Sequence, residues 1–517
     1  MGGQEGDCSP ALTARVYRAA AATDHRLLLA TDLPKEDRAC ATTTLARLYA
    51  ASPRSAANST NAIVDECYRR LRAHNDSGDS DLDRNLAPRV RIRRLTSETT
   101  GFKRWWRRNA VSTAGAAPGG RGGGGGGGGG GGSGGAHEQA TWRHYEQRGV
   151  AEWVVPDAMV SDAYRIVFLH GGAYSYYSPS DGYRPLTTRL AAATKLPLLA
   201  IDYRKAPEHS PPDAVKDAAA ALRWAWANGP SGRRSAAKAV FLLGDSAGGG
   251  LVLSLLVALR LGESSTGLRD LASHRPPTAA ATLSAWTDLT CSLGTYTTRT
   301  WVSAWWDATG TAAAAARGRG RSGGDMGGEP NEPRESHGGE VLPQEQPGDP
   351  VFSTGDPTQD VADSLIGARR YHRDGDARDP RVSPLFAPSA VLAALPPLLM
   401  LVGDAELMLA DSTEFAARTV EAVADRDAAK HQPTTANTAN TANTAPAPTP
   451  AATPSVRLRI YPRMWHVWPM YAEACGQGWP LPPAERAFDE LATFFREHAA
   501  ATHGRGGYGD FENVKPR

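Results

Sequence analysis

Gly244-Asp245-Ser246-Ala247-Gly248 sets a serine between glycines two places away on either side. The preceding segment, AVFLL, is short and apolar, and the following one, GGLVLSLLVALRL, is long and apolar. A strand, a tight turn and a helix in that order force the serine oxygen outward, where it can attack a carbonyl carbon. Small residues are needed at the flanks because the backbone folds back on itself there. The start of the helix also places partial positive charge beside a developing anion. A second match, Gly131-Gly132-Ser133-Gly134-Gly135, lies inside a glycine tract with no strand or helix pattern around it, and is a product of composition.

Attack on a carbonyl turns its oxygen into an alkoxide, which fixed backbone N–H groups must meet. His170-Gly171-Gly172-Ala173 follows the apolar run Arg165–Leu169 and can form such a loop. The oxyanion group is expected to comprise Gly171, Gly172, Ala173 and Ala247, with Gly172, Ala173 and Ala247 as the donors. His170, beside a loop-forming glycine pair, is expected to make structural hydrogen bonds rather than act as a base. An activated serine also needs a base, and the base needs an acid that sets its tautomer. Of 13 histidines, His466 alone follows the last β-rich run, Val456–Ile460, with acidic candidates upstream. Those candidates, Asp404 and Glu406, share the loop after the run Leu398–Val402.

These side chains must be carried by a regular scaffold. Further β-rich runs occur at Leu198–Ile201, Val240–Leu243 and Thr282–Leu283. Helical patterns lie at Ala214–Ala227, Gly249–Leu261, Ser412–Ala424 and Ala484–His498. The alternation predicts an α/β domain with a mostly parallel central sheet covered by helices on both faces. That catalytic domain is expected over 140–503, with insertions at 306–348 and 430–454 that are too rich in Gly, Ala, Pro and Thr to pack. Setting them aside leaves roughly 290 residues, a fitting size for one large domain. Residues 118–136 read as a Gly-rich linker and 504–517 as a disordered tail. Residues 1–117 read as a helical region, with patterns at Thr13–Ala22, Cys40–Ala50 and Ala62–His74, that caps the site. Its closing basic stretches, 89–94 and 103–108, read as a solvated charged face, with interfacial membrane contact as the sharper alternative.

Composition narrows the function further. Lys+Arg number 57 against 55 Asp+Glu, so a nucleic-acid protein is not expected. The five cysteines show no CxxC, no zinc-ligand spacing and no dense disulfide pattern. No signal-peptide pattern opens the chain and no apolar run is long enough to span a bilayer, so a cytoplasmic setting is expected.

Taken jointly, several motifs resemble those of the hormone-sensitive-lipase-like α/β hydrolases, the fold-3 group. They are HGGAY (170–174), DYRKAPEHSPPDAVKDAAAALRWAW (202–226), GDSAGG (244–249), SAWTDLT (284–290), RDPRVSPLFA (378–387), VGDAELMLADS (402–412) and MWHVWPMY (464–471). The resemblance covers about 150 to 500 and implies the α/β-hydrolase fold. It also implies a serine carboxylic-ester hydrolase that acts through an acyl-enzyme on short- to medium-chain acyl esters, without metal or organic cofactor. The family's acidic segment, D-P-M-L-D-D-S, falls without gaps on residues 406–412. That makes Glu406 the acid beside Ser246 and His466, with Asp404 in reserve and Asp411 as the cap of the next helix. The resemblance further implies structural roles for Asp245 and for Glu208, the latter tying the loop beneath the site. Ala173 departs from the family's HGGG but keeps a backbone donor. Some relatives have become small-molecule receptors by losing a triad member, whereas Ser, acid and His all stand here. Membrane deacylation is a third reading, prompted by the Trp segment at 103–108 and by Tyr174, Tyr176, Tyr177, Trp465 and Trp468.

Overall fold

The structure, a computed structural model, describes residues 8–21, 33–49, 63, 66–67, 90–94, 151–261 (save 181 and 232), 275–295 (save 294), 357–430 (save 374), 456–472 and 480–502. The Gly-rich segment 118–136, the basic stretch 103–108, the tract 306–348, nearly all of 430–454, the tail and most of 62–74 lie outside these residues.

Among the described residues, eight strands form one sheet: β1 (Val90–Arg94), β2 (Ala151–Pro156), β3 (Tyr164–Leu169), β4 (Leu198–Ile201), β5 (Ala239–Asp245), β6 (Ala279–Leu283), β7 (Leu398–Gly403) and β8 (Val456–Tyr461). Their spatial order is β1-β2-β4-β3-β5-β6-β7-β8. Pairings β1–β2 and β2–β4 are antiparallel, and all others are parallel. The longer helices among the described residues are α1 (Pro10–Ala20), α2 (Lys35–Leu48), α3 (Arg184–Thr194), α4 (Asp213–Ala227), α5 (Ser246–Leu261), α6 (Pro357–His372), α7 (Leu409–Lys430) and α8 (Pro482–Ala501).

The expected parallel strands are present, each within a few residues of its predicted bounds. The two antiparallel ones at the edge were not anticipated. Residues 89–94, read as a charged face, contain β1, whose Val-Arg-Ile-Arg order has the period of two that a strand requires. A polar alternation suits an edge, where charge discourages pairing with a second chain.

Side chains alternate across the sheet into two cores. Val167, Leu169, Val240, Leu242, Met400 and Val402 face one core together with residues of α4, α5 and α7. Ile166, Phe168, Phe241, Leu243, Leu399 and Leu401 face the other, against α3 and α8. Burial on both faces explains why these strands read as continuous apolar runs. In the N-terminal region, α1 lies along α7, where Arg18 pairs with Glu414 and Glu421 at 2.7 and 2.5 Å. After α2, Tyr49 forms a parallel bridge to Ile460 of β8. A disulfide joins Cys8 to Cys40, with Cα atoms 5.3 Å apart, linking α1 to α2. Widely spaced cysteines gave no sign of that pairing, because folding of the α1–α2 hairpin brings them together.

Candidate active site

Ser246 stands at the junction of β5 and α5, 5% exposed, with a left-handed φ of 52°. A non-glycine residue in that region carries strain of about 1–3 kcal/mol and persists only where its surroundings over-determine it. Here they do. A Cβ on Gly248 would fall inside contact distance of the Leu169 and His170 carbonyls, so the helix start packs directly on the end of β3. From the other side, the Trp286 amide donates to the Ser246 carbonyl at 3.0 Å.

The loop after β3 runs beside the serine: a Cβ on Gly171 would lie 2.9 Å from Ser246 Cβ. Gly172, Ala173 and Tyr174 follow with φ of 101°, 50° and 58°. Three left-handed residues in succession turn the backbone sharply, and the Ser175 and Tyr176 amides close the turn on the Gly172 carbonyl at 2.9 and 2.8 Å. The Gly171 amide is not available to a ligand, because it donates to Asp245 Oδ1 at 3.0 Å. Gly171, expected in the oxyanion group but not among its donors, contributes instead through its missing side chain. The other oxygen of Asp245 accepts from the Tyr183 hydroxyl at 2.7 Å. Burial pushes the Asp245 carboxyl up to about 7, against the pull of the Tyr183 hydroxyl and the Gly171 amide.

His170 is wholly buried, with Nδ1–H donating to the Gly171 carbonyl at 2.7 Å and the ring stacked on Tyr203 at 4.5 Å. Burial lowers its pKa, so it sits as a neutral strut. The loop beneath is held by Arg204, which grips Asp217 at 2.8 Å, and by Lys205 on Asp202. Glu208 is exposed and does not tie this loop. The resemblance suggested otherwise, but the carboxylate that holds this loop is Asp217 of α4, gripped by Arg204.

Glu406 and His466 come from the loops after β7 and β8. His466 Nδ1 lies 2.7 Å from Glu406 Oε2, with both side chains buried. Glu406 Oε1 accepts from the Gly403 amide at 2.6 Å and the Ser284 hydroxyl at 2.8 Å. Burial pushes the Glu406 carboxyl up and those two donors pull it down, while a protonated His466 ring 2.7 Å away favours the charged carboxylate. Asp404, the reserve acid, is turned elsewhere, its Oδ1 accepting the Arg463 amide at 2.6 Å. Asp411 does not cap its helix. It lies within the first turn of α7, and its Oδ1 accepts the Thr287 and Asp288 amides at 2.7 and 2.8 Å.

The His466 loop must reach back from β8 across β7 and β6 to approach β5. It does, because the Val467 amide donates to Ser284 Oγ at 3.0 Å. Ser284 directly follows Leu283, which pairs with Asp245 across the β5–β6 ladder. The residue after His466 is thus anchored beside the strand end that carries Ser246.

Two elements near the site escaped sequence reading. Ser284 looked like part of a motif without a role. Helix α6 lies over the loop after β3, with Tyr371 stacked on Tyr174 at 3.9 Å and Gly367 facing Ala173 and Trp286. The spacing of Val361, Leu365, Ala368 and Tyr371 was a helical signal that the adjoining low-complexity tract obscured. Among the described residues, no group of His, Cys, Asp and Glu could hold a metal, and no helix is long and apolar enough to cross a membrane.

Comparison with known proteins agrees with this architecture. The family profile described as the alpha/beta hydrolase fold matches residues 166–318. An acetyl-hydrolase of Streptomyces hygroscopicus is 30% identical over 347 residues, covering 67% of this chain and 79% of the relative. A gibberellin receptor of Arabidopsis thaliana is 37% identical over 104 residues, 19% of this chain and 29% of the receptor. The crystal structure of an esterase from the bacterial hormone-sensitive lipase family superposes with a TM-score of 0.50 at 20% identity, covering 85% of this chain and 98% of the esterase, and shows the same fold. With that acetyl-hydrolase 30% identical over 67% of this chain, the chain belongs to the hormone-sensitive-lipase-like α/β hydrolases, a family of esterase and lipase type.

Proposed function

We propose that the protein is a serine carboxylic-ester hydrolase that cleaves short- to medium-chain acyl esters through an acyl-enzyme. Ser246 Oγ attacks the ester carbonyl while His466 Nε2 takes its proton. Glu406 holds Nδ1–H, which keeps Nε2 free of a proton in the resting state and stabilises the imidazolium that forms. The Gly172, Ala173 and Ala247 amides receive the oxyanion. His466 then returns the proton to the departing alcohol, and a water activated by the same imidazole releases the acid. No step needs a metal or organic cofactor.

The observation that carries this reading is the buried 2.7 Å pair of Glu406 and His466, held beside the β5 end that presents Ser246. A receptor built on the same fold is the rival, motivated by the gibberellin-receptor likeness. A binding protein has no use for a buried carboxylate that orients an imidazole, so hydrolysis is preferred. Purified protein is expected to cleave p-nitrophenyl acetate or butyrate, and Ser246→Ala to lower kcat by about 10³-fold or more. A variant as fast as its parent overturns the proposal.

A further inference from the structure

We propose that Ser284 is a positioning residue for this hydrolysis: its hydroxyl ties the carboxylate of Glu406 to the turn that aims His466. The inference rests on the esterase reading above and adds a fourth side chain to it.

Ser284 is fully buried at the end of β6. A hydroxyl carries one proton to donate and lone pairs to accept, and both capacities are used. Oγ–H donates to Glu406 Oε1 at 2.8 Å, and Oγ accepts the Val467 amide at 3.0 Å. The Ser284 amide donates to the Leu401 carbonyl at 2.8 Å, which anchors the residue to β7. Two places on, Trp286 holds the Ser246 carbonyl. One short segment therefore touches the acid, the base loop and the nucleophile turn.

The backbone around this hydroxyl is strained. Ser284 has φ 50°, and Val467, immediately after His466, has φ 50° and ψ 39°. A β-branched residue in the left-handed region is a genuine outlier that needs an external hold. The bond from its amide to Ser284 Oγ supplies one. It fixes the turn that sets where the imidazole stands, while the opposite bond fixes the carboxylate that the imidazole needs.

Other ionisable groups on the surrounding elements have their own partners. Asp404 accepts the Arg463 amide, Asp411 the Thr287 and Asp288 amides, Asp245 the Gly171 amide and the Tyr183 hydroxyl, and Asp288 the Thr290 and Ser292 amides. Among the described residues, Ser284 and His466 are the side chains that hydrogen-bond to Glu406.

Loss of the hydroxyl removes a donor from the carboxylate, which makes Glu406 easier to protonate. Protonated Glu406 no longer accepts Nδ1–H, so the imidazole loses the tautomer that can act as base. The test uses the full chain with Ser284→Ala and Ser284→Gly, with Ser246→Ala as the reference for the esterase reading. Glycine tolerates φ 50° and lacks the hydroxyl, so it separates the side chain's role from the backbone's. Both variants are expected to lose kcat by about 10- to 100-fold near neutral pH, with KM changed less than about twofold. The acid limb of kcat/KM should move to higher pH by up to about one unit. A Ser284→Gly enzyme with parental kcat and an unmoved limb overturns the proposal, as does a loss of kcat in both variants without any movement of the limb. A parent enzyme that is inactive, or unaffected by Ser246→Ala, would instead sink the esterase reading on which the inference rests.

Discussion

Asp245 shows how one side chain can brace two parts of the candidate site. It precedes Ser246 in sequence, and its two oxygens take the Gly171 amide and the Tyr183 hydroxyl. Burial lifts its carboxyl from 3.8 to about 7 in the folded protein. The folded pKa lies above the unfolded one, so the native state holds the proton more tightly between these values. The stability this contributes is whole below about 3.8 and is lost as pH rises through about 7. Asp245→Asn keeps a neutral acceptor at the same place. Its Tm relative to the parent is expected to be several degrees more favourable at pH 8 than at pH 5, read by thermal unfolding at both values. An equal difference at the two pH values contradicts this account. At the same scale, Ser246 and His466 were legible because residue type, local pattern and chain order all agreed. The choice of Glu406 over Asp404 came from aligning a family segment. Chemistry alone did not separate two carboxylates two residues apart, and only the fold shows that Asp404 is occupied by the Arg463 amide. Ser284 was not legible, since a serine in a loop is chemically ordinary until the sheet brings another chain segment onto its hydroxyl.

At the scale of elements, the serine turn depends on backbones in near contact. A methyl on Gly248 would collide with the backbone carbonyls of Leu169, the last residue of β3, and of His170, which follows it. Gly248→Ala is therefore expected to cost about 3 kcal/mol or more of stability, or to prevent folding. Gly367 of α6 offers a contrast, since a Cβ there would lie 3.5 Å from Ala173 Cβ, an ordinary contact. Gly367→Ala should fold with stability within about 1 kcal/mol of the parent, helped by the better helix propensity of alanine. Denaturant unfolding of both variants checks the pair, and comparable losses would show that the serine turn is not tightly packed. The buried parallel strands could be read from sequence because burial on both faces makes them short, apolar and continuous. The antiparallel edge strands and α3 lacked that signal: β1 is mostly arginine, and α3 is dense in threonine and alanine.

For the whole molecule, sheet order does the gathering. Residues 246, 406 and 466 are remote in sequence, yet β5, β6, β7 and β8 are consecutive neighbours, so their following loops converge at one end of the sheet. Adjacent strands lie about 4.8 Å apart, which obliges the His466 loop to lean back over two strands, and Ser284 receives it. The long low-complexity stretches between these strands lie outside the described residues, and the described strands form one sheet. Reaction with a fluorophosphonate probe, followed by peptide mass mapping, tests most directly whether this convergence activates one serine. The account predicts a single stoichiometric adduct on Ser246 that is lost in Ser246→Ala and slowed at least about 10²-fold in His466→Ala. A native protein that stays unlabelled at Ser246, or labels there equally fast without His466, would contradict it.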